Sequence, residues 1–197
     1  MVNMKLLLIR HGESEDDILN AYGGWAEFHL TANGKKQLEK TAESISELGV
    51  TFEKILSSPL LRAQESAAII SKKINAHVEL FEYVKERNTY GIMCGMVKAE
   101  ARIKYPWLVA AYENGDYVDG SEREEDTVTR AKKAFDLIKA RPEKNLAVLT
   151  HGVFLKALLP VILGKKLAKK EDGGFILIEV AADSSKVLVE NGIEVEK

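Results

Sequence analysis

Apolar residues recur along this chain in two alternating periods. Leu6 to Ile9 is a short continuous apolar run, the pattern of a strand buried on both faces. From Thr31 the spacing becomes helical, with Leu38, Ala42, Ile45 and Leu48 on one face and Gly49 as a stop. Lys54–Ser57 reads as a second strand. Pro59 is expected in the first turn of the next helix, whose apolar face is Leu60, Ala63, Ala67, Ile70 and Ile74. Val78–Leu80 is a third short strand. Residues 86–123 hold five Gly or Pro positions (Gly91, Gly95, Pro106, Gly115, Gly120) among short helical stretches and read as a substrate-side excursion. Val128, Ala131, Phe135 and Ile138 restore helical spacing, ended by Pro142. Leu146–Thr150 is a buried strand, with an apolar helical segment after it to Leu163. Phe175–Val180 and Lys186–Val189, joined through Asp183-Ser184-Ser185, read as a closing hairpin.

Alternating strand and helix predicts an α/β fold: a three-layer sandwich with a mainly parallel central sheet, helices on both faces and an antiparallel edge strand. No repeat, low-complexity tract or linker interrupts it, so residues 1–197 are expected to form a single domain. Charge changes the picture little. Twenty-eight basic residues face 30 acidic ones, a net −2, so the basic surplus of a nucleic-acid binder is missing. One cysteine, Cys94, excludes an intramolecular disulfide and an all-cysteine metal cage. The start, Met1 to Lys5, leads into only four apolar residues, too few for a signal peptide or a membrane span. A cytoplasmic protein that meets no membrane is the expectation.

The chemistry gathers where two strands end alike. Leu6–Ile9 runs into Arg10-His11-Gly12-Glu13-Ser14, and Leu146–Thr150 runs into His151-Gly152. Ligands of open α/β sheets bind outside the carboxyl ends of the strands, which is where both histidines fall. Arg62, in Ser57-Ser58-Pro59-Leu60-Leu61-Arg62-Ala63, lies near a helix start at the same edge. Helix N-termini and arginine forks both favour phosphate oxygens.

These three segments, Leu8 to Ser14, Ser57 to Ala63 and Leu149 to Gly152, resemble the signatures of the histidine phosphatase superfamily, the phosphoglycerate mutase-like group. The resemblance implies a nucleophile at His11 that forms a phosphohistidine, with Arg10, Arg62 and His151 around the phosphoryl oxygens. It implies a carboxylic acid after the third strand to protonate the leaving oxygen. Glu86 fits this role and Glu82 is the alternative. Gly152, Ser14, Gly24, Arg87, Tyr90 and Lys98 complete the implied substrate-binding set. No metal or other cofactor is implied, and the partner is a small phosphorylated substrate, with the protein a monomer or a homodimer. In this group an asparagine commonly comes soon after the first motif, where this chain has Glu15-Asp16-Asp17. Three acids there would repel a phosphate unless they point away. Asp17 is therefore read as a capping partner of Ser14 and is left out of the site.

The resemblance leaves two activities open, and a third class beside them. A phosphatase needs only water to reach the phosphohistidine. A 2,3-bisphosphoglycerate-dependent phosphoglycerate mutase, primed by that bisphosphate, must retain and reorient its intermediate. Glu86-Arg87, Tyr90-Gly91 and Lys98 resemble the mutase substrate loop. The absence of an adjacent arginine pair and a length below that usual for such mutases favour the phosphatase. A non-catalytic phosphate-binding module would be expected to have lost one of these residues. Three further features are weaker: Lys165-Lys166 and Lys169-Lys170 form a basic patch that reads as a solvated loop or as a means of steering a phosphate-bearing substrate, Trp25 reads as a pocket-mouth or packing residue, and Cys94 as a structural or incidental thiol.

Overall fold

A computed structural model describes residues 4–182 and 184–197. Asp183, assigned to the closing turn from the sequence, lies outside the described residues, as do residues 1–3. The sheet has six strands in the order β3-β2-β4-β1-β5-β6. β1 (Met4–Arg10), β2 (Lys54–Ser57), β3 (His77–Leu80) and β4 (Asn145–Thr150) run parallel, while β5 (Leu167–Val180) and β6 (Ser185–Val195) add an antiparallel edge beside β1. The α/β three-layer class comes directly from the strand pattern. Successive side chains of β1 point to opposite faces. Leu6 and Leu8 pack with α6 (Glu124–Lys139) and α7 (Gly152–Leu163), whereas Leu7 and Ile9 pack with α2 (Ala32–Ser46) and α3 (Leu61–Ile74); the short α1 (Glu15–Leu19) follows β1.

Residues 86–123 leave the sheet and fold over its carboxyl edge. Two 3-10 turns, Glu82–Val84 and Gly91–Met93, lead to α4 (Lys98–Lys104) and α5 (Pro106–Asn114). Tyr22, Met93, Leu108, Val109 and Val118 form a small core of their own there.

Two boundaries differ from expectation. Pro59 is not in the first turn of α3, which begins at Leu61 after an extended cap at Leu60. Ser58 remains tied to β4 through its N–H to the Leu149 carbonyl, 3.0 Å, and its hydroxyl accepts the Leu60 N–H at 3.3 Å. These bonds fix the three residues between the strand and the helix, so the helix starts only after Leu60. The hairpin is also far longer than the apolar runs: Leu167 to Lys170 pairs with Ile193 to Val195, although of these residues only Ile193 is buried.

Candidate active site

All four parallel strands end at one edge, and the segments after those ends build the site. β1 delivers Arg10 and then His11, whose N–H donates to the Thr150 carbonyl at 3.1 Å. β4 delivers His151, the N-cap residue of α7. The two imidazoles lie with ring centroids 4.9 Å apart. The loop after β1 reaches this place because two glycines let it press on α2: a Cβ on Gly12 would stand 2.6 Å from the Gly34 carbonyl oxygen.

His11 is buried, and its Nδ1 lies 2.7 Å from the Gly12 carbonyl oxygen, a contact that requires the proton on Nδ1. Nε2 then carries the lone pair. Arg62 Nε donates toward it at 3.4 Å. Burial, then Arg62 and Arg10, hold the His11 pKa well below the ordinary imidazole value, so the ring is neutral at pH 7. His151 is likewise driven low by burial and then by Arg62. Its Nε2 contacts the Ser58 hydroxyl at 2.7 Å, while its Nδ1 is buried without a partner.

The cations are held largely by carbonyls rather than neutralised by carboxylates. Arg62, 2% exposed, donates to the carbonyls of Gly24 at 2.8 Å and Ala26 at 3.0 Å. Arg10 donates to the Lys170 carbonyl at 3.1 Å and pairs with Asp172 at 2.8 Å, and its Nε is buried without a partner. Lys170 itself turns its ammonium into the site. A Cβ on Gly152 would meet Lys170 Nζ at 2.8 Å and Arg10 Nε at 3.2 Å, so the missing side chain makes room for two cations beside the start of α7. Burial and then Arg10 lower the Lys170 pKa.

Glu86 is 8% exposed and sits against the α7 N-terminus. Its carboxylate accepts the N–H groups of Arg87 at 2.8 Å, Phe154 at 2.8 Å and Val153 at 3.1 Å. Glu82, the alternative acid, has a side chain 68% exposed and pairs with Lys85. A cavity of about 250 Å³ brings together Arg10, His11, Arg62, Glu86, Arg87 and Lys170, with Gly24, Tyr90, Lys98 and Gly152 on its wall. His151 is fully buried and packs against His11 rather than lining this cavity. Ser14 does not reach it either, because its hydroxyl donates to Asp16 Oδ1 at 2.6 Å.

Three further residues depart from the sequence reading. Asp17 does accept the Ser14 N–H at 3.0 Å, as its capping role requires, yet Asp16 and Asp17 both line the cavity. Glu15 turns away to the His29 N–H. Lys170, read with its neighbours as a solvated loop or a basic patch that steers phosphate, is a strand residue facing the cavity; the run of lysines does not single it out from Lys165, Lys166 and Lys169. Trp25 packs over Glu86, donating to its carbonyl at 2.6 Å, and Cys94 contacts Asn88 Oδ1 at 2.8 Å. Among the described residues no group of three or more His, Cys, Asp or Glu is arranged to hold a metal ion. Among them, too, no helix is long and apolar enough to cross a membrane.

Residues 6–181 match the family described as the histidine phosphatase superfamily (branch 1). A 2,3-bisphosphoglycerate-dependent phosphoglycerate mutase of Azorhizobium caulinodans is 27% identical over 194 residues, covering 91% of this chain and 94% of the relative. The uncharacterized phosphatase PhoE of Bacillus subtilis is 29% identical over 157 residues, 80% of this chain and 76% of the relative. The alpha-ribazole phosphatase from Shigella flexneri superposes with a TM-score of 0.83 at 22% identity, covering 98% of this chain and all of that one (100%), a likeness of fold. A mutase of nearly matching extent means that chain length does not separate the two activities.

Proposed function

The chain belongs to the histidine phosphatase superfamily, and we propose that it is a cytoplasmic phosphomonoester phosphatase, a single domain over residues 1–197 that works through a phosphohistidine at His11. The neutral His11 Nε2 attacks phosphorus as the bond to the leaving alkoxide oxygen breaks, and Glu86 gives that oxygen its proton. Arg10 and Arg62 stabilise the equatorial oxygens with Lys170 beside them, and His151, behind His11, is assigned its part through the ring Nδ1 that has no partner among the described residues. Water then attacks the phosphohistidine, passing its proton to Glu86, and the imidazole leaves with its lone pair restored. Glu86 rather than Glu82 takes the acid's part because Glu86 lines the cavity and Glu82 stands in solvent. No step is assigned to a metal ion, and activity is expected to survive chelators.

The observation that carries phosphatase over mutase is the acidic wall. Asp16 and Asp17 occupy the same small cavity as the phosphoryl cations, where a bisphosphate would have to be retained and turned. Arg87, a candidate for a second anion, is engaged by the Glu122 carbonyl at 3.1 Å and by Glu124 at 3.6 Å. The test is 3-phosphoglycerate with and without 2,3-bisphosphoglycerate, monitored for free phosphate and for isomerised product. Phosphate release outpacing isomerisation is expected. Isomerisation that outpaces it would make the chain a bisphosphate-primed mutase instead.

A further inference from the structure

A second cavity, about 820 Å³, opens from the first, with Arg87, Thr89, Tyr90 and Val153 lining both. It runs beside α7 along Val153, Lys156, Ala157, Pro160 and Val161, which share one helical stripe at i, i+3, i+4, i+7 and i+8. The other face of α7, from Phe154 to Ile162, is buried in the core. The helix is thus apolar nearly all round, with Lys156 its one charged residue, although its groove side is only partly covered: Val153, Ala157 and Val161 are half-buried and Pro160 is exposed. A helix of that composition is ordinarily buried on every face. Val128 of α6 and Leu167 at the start of β5 continue the apolar lining opposite.

Three features identify what lies there. The groove begins at the general acid, since Val153 both lines it and donates its N–H to Glu86 Oε2 at 3.1 Å. The oxygen that Glu86 protonates belongs to the departing alcohol, so the alcohol projects toward the groove mouth. From Val153 to Val161 the groove extends about 12 Å at 1.5 Å per helical residue. Its flanks carry Lys132, Lys156 and Lys166, none of which has a carboxylate partner among the described residues, whereas Glu124, its one acid, faces Arg87. Resting on the phosphatase reading above, we infer that this groove binds the alcohol portion of the substrate, an extended apolar body that ends in an anionic group.

The test compares kcat/KM for ethyl phosphate, n-octyl phosphate and the eight-carbon phosphate ending in a carboxylate. Ethyl phosphate is too short to occupy the groove and serves as the internal reference. A rise of at least tenfold from ethyl to octyl is expected, because the groove withdraws the six added methylenes from water. The terminal carboxylate is expected to add a further severalfold. Ala157→Phe, which fills the groove, is expected to collapse the octyl-to-ethyl ratio. Lys156→Glu, at an exposed position that does not threaten folding, is expected to reverse the preference for the carboxylate. Ratios that stay flat with chain length while all three esters are hydrolysed would overturn the groove and leave the phosphatase reading standing. A rise untouched by both variants would overturn it equally. No hydrolysis of any ester would defeat the phosphatase reading itself. If sedimentation shows a dimer that Ala157→Phe separates, the groove is covered by a second copy and the inference fails.

Discussion

In the proposed reaction one hydrogen bond at His11 decides the chemistry: the Gly12 carbonyl accepts the Nδ1–H, which leaves the lone pair on Nε2, where Arg62 Nε approaches at 3.4 Å. That residue is legible from Arg10-His11-Gly12, because strand end, glycine and arginine stand together in the sequence. Lys170 is not, since its meaning comes from contacts with Gly152 and with Arg10, the latter 160 positions away. Asp16 and Asp17 are visible in the sequence but not their direction, because the capping bond that explains Asp17 does not prevent its other side from facing the cavity. With a half-buried ammonium and no carboxylate partner among the described residues, Lys170 is expected to matter to the reaction and not to stability. Lys170→Met should lower kcat/KM by about 10- to 100-fold, the scale of one lost charge-assisted contact to phosphate. Lys170→Arg should restore part of it, with thermal unfolding unchanged in both. Equal activity of wild type and Lys170→Met would remove the residue from the phosphate-binding set.

At the scale of elements, the buried strands and amphipathic helices can be read from periodicity because burial imposes it. Leu38, Ala42 and Ile45 on α2 all enter the core, as do the alternating residues of β1. β5 escapes such reading over Leu167 to Asp172 for the converse reason. Backbone pairing to β6 makes it a strand, and its outward side chains carry no apolar alternation to announce it. The His11 loop depends on a close crossing with the first turns of α2, where Gly12 meets Gly34 and Leu38. Neither side of that crossing is a flexible side-chain end alone, so Gly12→Ala has to move backbone. It is expected to cost about 1–3 kcal/mol in urea unfolding and to displace His11, with kcat falling as well. A fully stable and active Gly12→Ala protein would show that the crossing is looser than the structure has it.

Across the whole molecule, chemistry and stability are divided between the two ends of the sheet. The carboxyl edge holds its cations mostly by carbonyls, with charge left over for a ligand. The opposite side holds charge in balanced pairs, where Glu79 joins Arg141 and Lys54, and Lys54 also meets Glu143 at 2.7 Å. Arg141 first and then Lys54 pull the Glu79 pKa down to about 2. A carboxylate lowered on folding stabilises above its unfolded pKa near 4.5 and loses that contribution as pH falls toward 2. Its side chain is 36% exposed, so screening reduces the effect to about 1–2 kcal/mol. Glu79→Gln should therefore cost that amount at pH 7 and progressively less below pH 4. The same penalty at pH 7 and pH 2.5 would mean that the loss is one of packing.

The net charge of −2 conceals this division, because composition sums over both ends. The class of fold and the two histidine loops are legible in the sequence. The acidic cavity wall, the Lys170 ammonium and the groove along α7 need the chain folded, since each gets its meaning from the separate elements that it faces. The covalent intermediate is central, and it is tested most directly by acid-avoiding quench of the enzyme turning over a phosphomonoester, with mass mapping of its peptides. One phosphoryl group is predicted on the His11 peptide, stable in base and labile in acid, decaying to free phosphate at the rate of turnover and absent in His11→Ala. Turnover with no phosphoryl group on that peptide, or with the label intact in His11→Ala, would contradict a phosphohistidine at His11.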